Sequence, residues 1–160
     1  AYLALMGALQ ETGTESRRLR SACTFSLEGA VFYVDAPRES VYENDNNYSL
    51  ITCVTNGKNR FLLMGDAKKQ RTGEFLSSAA AKERYDLIKM PHHGNYTKNL
   101  GTLFETAKPR YAILTADPER LGVEEETMAL LDEYRCEVYY TDEGVVTAVS
   151  DGETVRVSQP

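Results

Sequence analysis

Two short apolar runs, each cut off by a polar motif containing glycine, set the tightest limit on how this chain folds. Phe61-Leu62-Leu63-Met64 stops at Gly65-Asp66, and Asp86-Leu87-Ile88-Lys89-Met90 stops at Pro91-His92-His93-Gly94. Short apolar runs bounded by glycine and proline read as strands. The stretch between them has room for a helix, predicted over Thr72–Arg84. Strand, helix and strand then form a crossover that returns the chain to the same edge of a sheet. Both motifs emerge at that edge, where strand ends hold side chains rigidly. The first run is apolar on both faces, so it is expected to lie buried between two layers.

The flanking sequence extends this sheet on both sides. Leu3, Met6 and Leu9 stand at helical spacing in Ala1–Gln10, which predicts a short amphipathic helix ending near Gly13. Cys23–Leu27 and Ala30–Val34 form a hairpin across Glu28-Gly29, and Tyr48–Thr55 with Arg60–Met64 form another across Asn56-Gly57. Residues 35–46 are polar and read as a loop. Beyond the His-His motif, a helix over Lys98–Ala107, a strand over Tyr111–Thr115, a helix over Glu124–Tyr134 and a strand over Glu137–Tyr140 alternate. Gly144–Val149 and Thr154–Val157 close the chain as a hairpin across Asp151-Gly152. Hairpins followed by alternating helix and strand predict an α/β fold, a layered sheet with helices on its outer face.

Composition narrows the function classes. An apolar fraction of 42% is too high for a disordered chain, and no apolar run approaches a membrane span. Eighteen Lys and Arg against 24 Asp and Glu leave a net charge of −6. That balance argues against broad electrostatic binding of nucleic acid and leaves room for a local basic patch. Cys23, Cys53 and Cys136 form no CxxC pair and read as small buried hydrophobes. The chain opens on Ala1 with no basic n-region or cleavage pattern, and is read as a mature or excised piece of a longer protein.

The chemistry rests on Asp66 and the two histidines, which are the chain's entire histidine content. A carboxylate at a strand end can bridge two cations, an imidazole is a good zinc ligand, and Gly94 lets the backbone approach closely. Singly, a Gly-Asp is usually a turn and a His-His pair usually a surface pair. Their conjunction at two strand ends is the informative observation. One Asp and one or two His still fall short of a catalytic zinc site, which takes three protein ligands and a water. No HxH, HExxH or HxxxH spacing exists in the chain.

Taken in order, Asn46-Asn47-Tyr48-Ser49-Leu50, Arg60–Asp66, Asp86–Gly94, Lys108–Ile113 and Val138–Gly144 resemble the C-terminal half of the metallo-β-lactamase fold superfamily. The order is most similar to the soluble domain of ComEC-like DNA-uptake proteins, and also to phosphorylcholine esterases. The resemblance runs from about residue 20 to 150. It implies one half of an αββα sandwich, with residues 1–160 a single or partial domain. Asp66 matches the family's bridging metal carboxylate and the His-His pair its last metal motif. His93 is preferred as the ligand, with His92 as a catalytic, substrate-facing group; the reverse assignment stays open. Asn46 and Asn47 fall where the family's chain reaches the site and would bind substrate, although an Asn-rich loop choosing a turn explains them equally well.

Two departures accompany the resemblance. The family's first metal motif, HxHxDH, is absent and would lie upstream of this chain. The His-Pro of ComEC-like relatives is also missing, since Asp117–Glu126 contains no histidine. The expectation is therefore the C-terminal part of a metal-dependent hydrolase of a phosphodiester or related ester, with two zinc ions in the complete protein. By itself this chain is expected to bind zinc weakly and to hydrolyse nothing. The alternative is a catalytically silent scaffold or binding module. A half-domain exposing apolar surface would self-associate, and the resemblance implies an extracellular or cell-surface location. Lys68-Lys69-Gln70-Arg71 reads as a solvated start of a helix rather than a phosphate contact.

Overall fold

The computed structural model describes residues 2–116 and 123–160. Seven strands form one sheet in sequence order: β1 (Cys23–Leu27), β2 (Ala30–Asp35), β3 (Ile51–Asn56), β4 (Asn59–Leu63), β5 (Leu87–Lys89), β6 (Tyr111–Leu114) and β7 (Glu137–Tyr140). The first four pair antiparallel through hairpins and connections; β4 to β7 pair parallel. Helices α2 (Lys69–Leu76), α3 (Lys98–Ala107) and α4 (Glu125–Glu133) bridge the parallel strands, while α1 (Tyr2–Glu11) precedes the sheet. Parallel strands laid down in sequence by right-handed crossovers put every helix on one face. The expected α/β layering is what the chain adopts.

Register explains where the core lies. Tyr33, Cys53, Leu62, Ile88, Ala112 and Val138 pair across the sheet and share one face. Against it pack Phe75 of α2, Leu100, Leu103 and Phe104 of α3, and Leu130 and Leu131 of α4. The opposite face carries Phe25, Phe32, Val54, Phe61 and Leu63 towards β1 and, further along, Leu87 and Tyr111, which are buried where the last hairpin reaches Tyr111. Phe25 is 50% exposed and Leu63 39% exposed, with Phe25 and Phe32 stacked 5.0 Å apart. The expectation that Phe61–Met64 is buried on both sides is therefore corrected. Its alternate residues Leu62 and Met64 are fully buried, and the others look outward. Of the cysteines only Cys53 is buried; Cys23 and Cys136 are half-buried.

The predicted elements are recovered with shifts that have local causes. The helix expected from Thr72 starts three residues earlier, because the Asn47 side chain accepts the Arg71 N–H at 3.2 Å and caps it from a distant loop. It ends at Leu76, and a single 3₁₀ turn over Ala80–Lys82 completes the stretch. The last hairpin is β8 (Thr147–Ser150) and β9 (Val155–Ser158), a separate two-stranded sheet. It docks on the β3–β4 turn, where Lys58 N–H donates to the Gly152 carbonyl at 2.7 Å and Ser150 Oγ donates to Asn59 Oδ1 at 2.7 Å. A Cβ on Gly57 would stand 2.4 Å from that same carbonyl, so two turns meet there only because glycine lacks one. Among the described residues, no helix is long and apolar enough to cross a membrane.

Candidate metal centre at the ends of β4 and β5

Met64, Gly65 and Asp66 follow β4, and Met90 through Gly94 follow its parallel neighbour β5. The chain therefore leaves both strands at the same edge. His92 N–H donates to the Gly65 carbonyl at 3.2 Å, tying the two motifs together. There His93 Nε2 lies 3.8 Å from Asp66 Oδ1, with both side chains a little under half exposed. The His93 ring is oriented from behind. Its Nδ1 stands 2.6 Å from the Thr115 carbonyl, beyond the end of β6. A carbonyl can only accept, so Nδ1 carries a hydrogen, and Nε2 is the ring nitrogen that faces the carboxylate.

This geometry is held in a backbone that few residues adopt. His92 (φ 44°) and His93 (φ 62°) are both left-handed, and Gly94 follows at φ 98°. Two such non-glycine residues cost on the order of 1–3 kcal/mol each and persist only because neighbours fix them. Asn95 N–H donates to the His92 carbonyl, and Thr127 Oγ1 of α4 donates to the Gly94 carbonyl at 2.6 Å. Gly94 also packs so closely that a Cβ would come within 2.8 Å of Leu114 Cδ2.

Asp66 is steadied from two sides that the sequence did not single out. Its N–H donates to Ser49 Oγ at 3.1 Å. Lys89 Nζ donates to the Gly65 carbonyl at 3.0 Å and approaches Asp66 Oδ1 at 3.8 Å; burial lowers the Lys89 ammonium from its ordinary value, against the pull of Asp66. Ser49 in turn is held by Arg71, whose Nε donates to the Ser49 carbonyl at 2.9 Å. Arg71 has no exposure at all, and its Nη2 donates to Asp35 Oδ1 at 2.6 Å and to the Asp35 carbonyl at 2.7 Å. The reading of this segment as a solvated helix start is thus corrected at Arg71. A helix with Phe75 facing the core turns Arg71, one turn earlier, inward as well.

His92 points elsewhere. It lines a hollow of about 210 Å³ with Lys68, Lys69 and Tyr96. Burial, then the charge of Lys68, hold its imidazole below the usual histidine range, so it is neutral at pH 7. Asn47 lines a neighbouring hollow of about 520 Å³ with Lys69, Gln70 and Asn99, while its carbonyl oxygen is engaged in capping α2. Asn46 serves its own turn: its N–H donates to Asn44 Oδ1 and its carbonyl accepts from Ser49 N–H. Neither asparagine hydrogen-bonds to Asp66, His92 or His93 among the described residues.

As a metal site the arrangement is partial. Among the described residues no group of three His, Cys, Asp or Glu side chains is placed to hold an ion. Asp66 and His93 supply two donors, one short of the usual protein share of a catalytic zinc. Residues 117–122, most of the histidine-free Asp117–Glu126 segment, lie outside the described residues. No family model matches the chain. Among curated proteins it is similar to "Recombination protein 2" of Haemophilus influenzae, at 30% identity over 101 residues. That match takes in 61% of this chain and 12% of the other protein, so the chain spans about an eighth of its relative's length.

Proposed function

We propose that this chain is the C-terminal part of a metal-dependent hydrolase of the metallo-β-lactamase superfamily that cleaves a phosphodiester or related ester. The observation that carries the reading is the meeting of Asp66 and His93 at 3.8 Å, on the ends of adjacent parallel strands. Strained backbone held by bonds to Gly65, just beyond β4, and to Thr127 of α4 supports it, since such strain concentrates at sites that need a fixed geometry. The exposed apolar residues on the β1–β4 part of the sheet's other face, Phe25 and Leu63 among them, support the half-sandwich part of the proposal, since a second sheet would cover them. Likeness to a protein named for recombination favours a phosphodiester over other esters, because recombination rejoins nucleic-acid backbones.

In this reading Asp66 and His93 are two of the metal ligands, and the rest come from outside these 160 residues. A bound zinc-type ion supplies hydroxide near neutral pH. The chain's own residues do the positioning. Thr115 fixes the His93 tautomer, Ser49 and Lys89 hold the Asp66 backbone and carboxylate, and Arg71 anchors Ser49. His92, neutral and beside Lys68 and Lys69, donates an N–H to an oxygen of the substrate, where charge develops.

Zinc titration of the 160-residue chain tests the ligand assignment: weak binding is expected, lost in Asp66→Ala and in His93→Ala and kept in His92→Gln. Tight stoichiometric zinc in the unaltered chain, or binding indifferent to Asp66, overturns it. In a longer protein containing this chain, Asp66→Ala should abolish metal-dependent phosphodiester hydrolysis. The count of two donors favours a second reading, a silent scaffold with this fold. An HxHxDH motif upstream of Ala1 decides for the hydrolase, and its absence decides for the scaffold.

A further inference from the structure

A second concave site lies at the other end of the same strands. Lys58 and Arg60 at the start of β4, Arg84 and Asp86 before β5, and Lys108 and Arg110 before β6 surround a hollow of about 360 Å³. The run from Arg60 along β4 and through the turn to Asp66 puts it at most about 20 Å from the candidate metal centre, at roughly 3.3 Å per residue. Five cations thus converge in a chain whose net charge is −6.

Neighbouring carboxylates neutralise only part of this charge. Lys58 pairs with Glu153 at 2.6 Å and Arg60 with Glu83. Asp86 turns one oxygen to the Arg60 N–H at 2.8 Å. Among the described residues, Arg84, Lys108 and Arg110 pair with no carboxylate. Two positive charges therefore remain after Glu153, Glu83 and Asp86 are counted. The backbone beneath is rigid: Asp86 N–H donates to the Arg60 carbonyl, Arg110 N–H to the Asp86 carbonyl and Tyr85 N–H to the Ala107 carbonyl, at 2.8 to 3.0 Å. Lys108 closes α3 in a left-handed turn, and the Arg110 guanidinium lies 4.8 Å from the Tyr111 ring centroid. The cations are thus set in place by elements that meet whether or not a ligand is present.

We propose that this basin binds phosphate groups. Two excess charges match one phosphate dianion or two consecutive phosphodiesters, and guanidinium groups grip phosphate oxygens in pairs. Volumes of this size accommodate small ligands. The proposal is independent of the metal-site reading, since none of its residues belongs to that site.

The test is a titration of the 160-residue chain, at low salt, with inorganic pyrophosphate and separately with a short oligothymidylate, followed by backbone amide NMR. Saturable binding is expected, with shifts centred on Arg84, Lys108 and Arg110. Arg84→Gln/Arg110→Gln, both exposed, should weaken it roughly tenfold or more, whereas Arg17→Gln/Arg18→Gln, removing equal charge elsewhere, should leave it unchanged. Preference for pyrophosphate assigns the basin to small phosphate compounds. Preference for the oligonucleotide assigns it to a nucleic-acid strand, with affinity falling on the order of tenfold between 50 and 200 mM salt. No saturable binding of either probe, or equal loss in both double variants, overturns the proposal. Asp66→Ala should not alter the result, so failure here and failure of the metal-site reading are told apart.

Discussion

Arg71 carries more of this architecture than any residue with an obvious chemical role. A buried guanidinium needs partners for its charge and its donors: Ser49 and Asp35 accept from Nε and Nη2, while Nη1 makes no hydrogen bond among the described residues and faces Glu74 at 3.5 Å, which itself accepts from Tyr42. Removing the cation would leave Asp35 buried without its partner. Arg71→Met should therefore cost about 3–5 kcal/mol, read as a lower urea midpoint. Because Ser49 links Arg71 to Asp66, the same variant should also weaken zinc binding although it touches no ligand. Unchanged stability would mean that Asp35 is not left buried and charged when its partner is removed, and would overturn the strut role given to Arg71. Asp66 and the histidines were legible as residue types at strand ends. Arg71 was not, because its partner Asp35 lies 36 positions away and a basic run before a helix gives no sign of which member turns inward.

At the level of elements, turns and caps do the placing. The Asp151 carboxylate closes the β8–β9 hairpin by accepting from Glu153 N–H and Thr154 N–H at 2.9 and 2.7 Å and from Thr154 Oγ1. These bonds favour the charged form, and the Thr154 and Glu153 amides bring its pKa down to about 2. A folded value below the unfolded one means stability fully present above the unfolded value near 3.8, and lost as pH falls through about 2. Carboxyl NMR should show Asp151 titrating near 2 in the folded chain; a midpoint near 4 would mean the turn is not formed in solution. Hairpins of this kind were readable from Asn-Gly and Asp-Gly pairs, since those residues accept the backbone angles of tight turns. The early start of α2 was not readable, because its cap comes from Asn47 in a separate loop.

Across the whole molecule, one layer of helices covers one face of the sheet, and this sets both the reactivity of the core and the exposure of the other face. Cys53, buried beneath that layer against the Tyr85 hydroxyl, and Cys136, held at the Pro109 carbonyl, are both pushed up to about 11 by burial. At pH 8 such thiols are on the order of one part in a thousand thiolate. A disulfide reagent should therefore label one thiol, Cys23, promptly in the folded chain and all three after unfolding. Prompt labelling of all three would show a core that opens easily.

Periodicity, turn residues and the placing of Gly65-Asp66 and Pro91-His92-His93-Gly94 were enough to determine an α/β sheet with crossovers and to bring Asp66 and His93 to one edge. Those features are local, and right-handed connection allows few ways to assemble them. Tertiary structure alone decided which face of β4 is covered, that Arg71 is a buried strut rather than a surface cation, and that Lys58, Arg60, Arg84, Lys108 and Arg110 share one basin. Each of these depends on segments far apart in sequence meeting in space, and charge or hydrophobicity read along the chain carries no record of which distant partner a side chain will find.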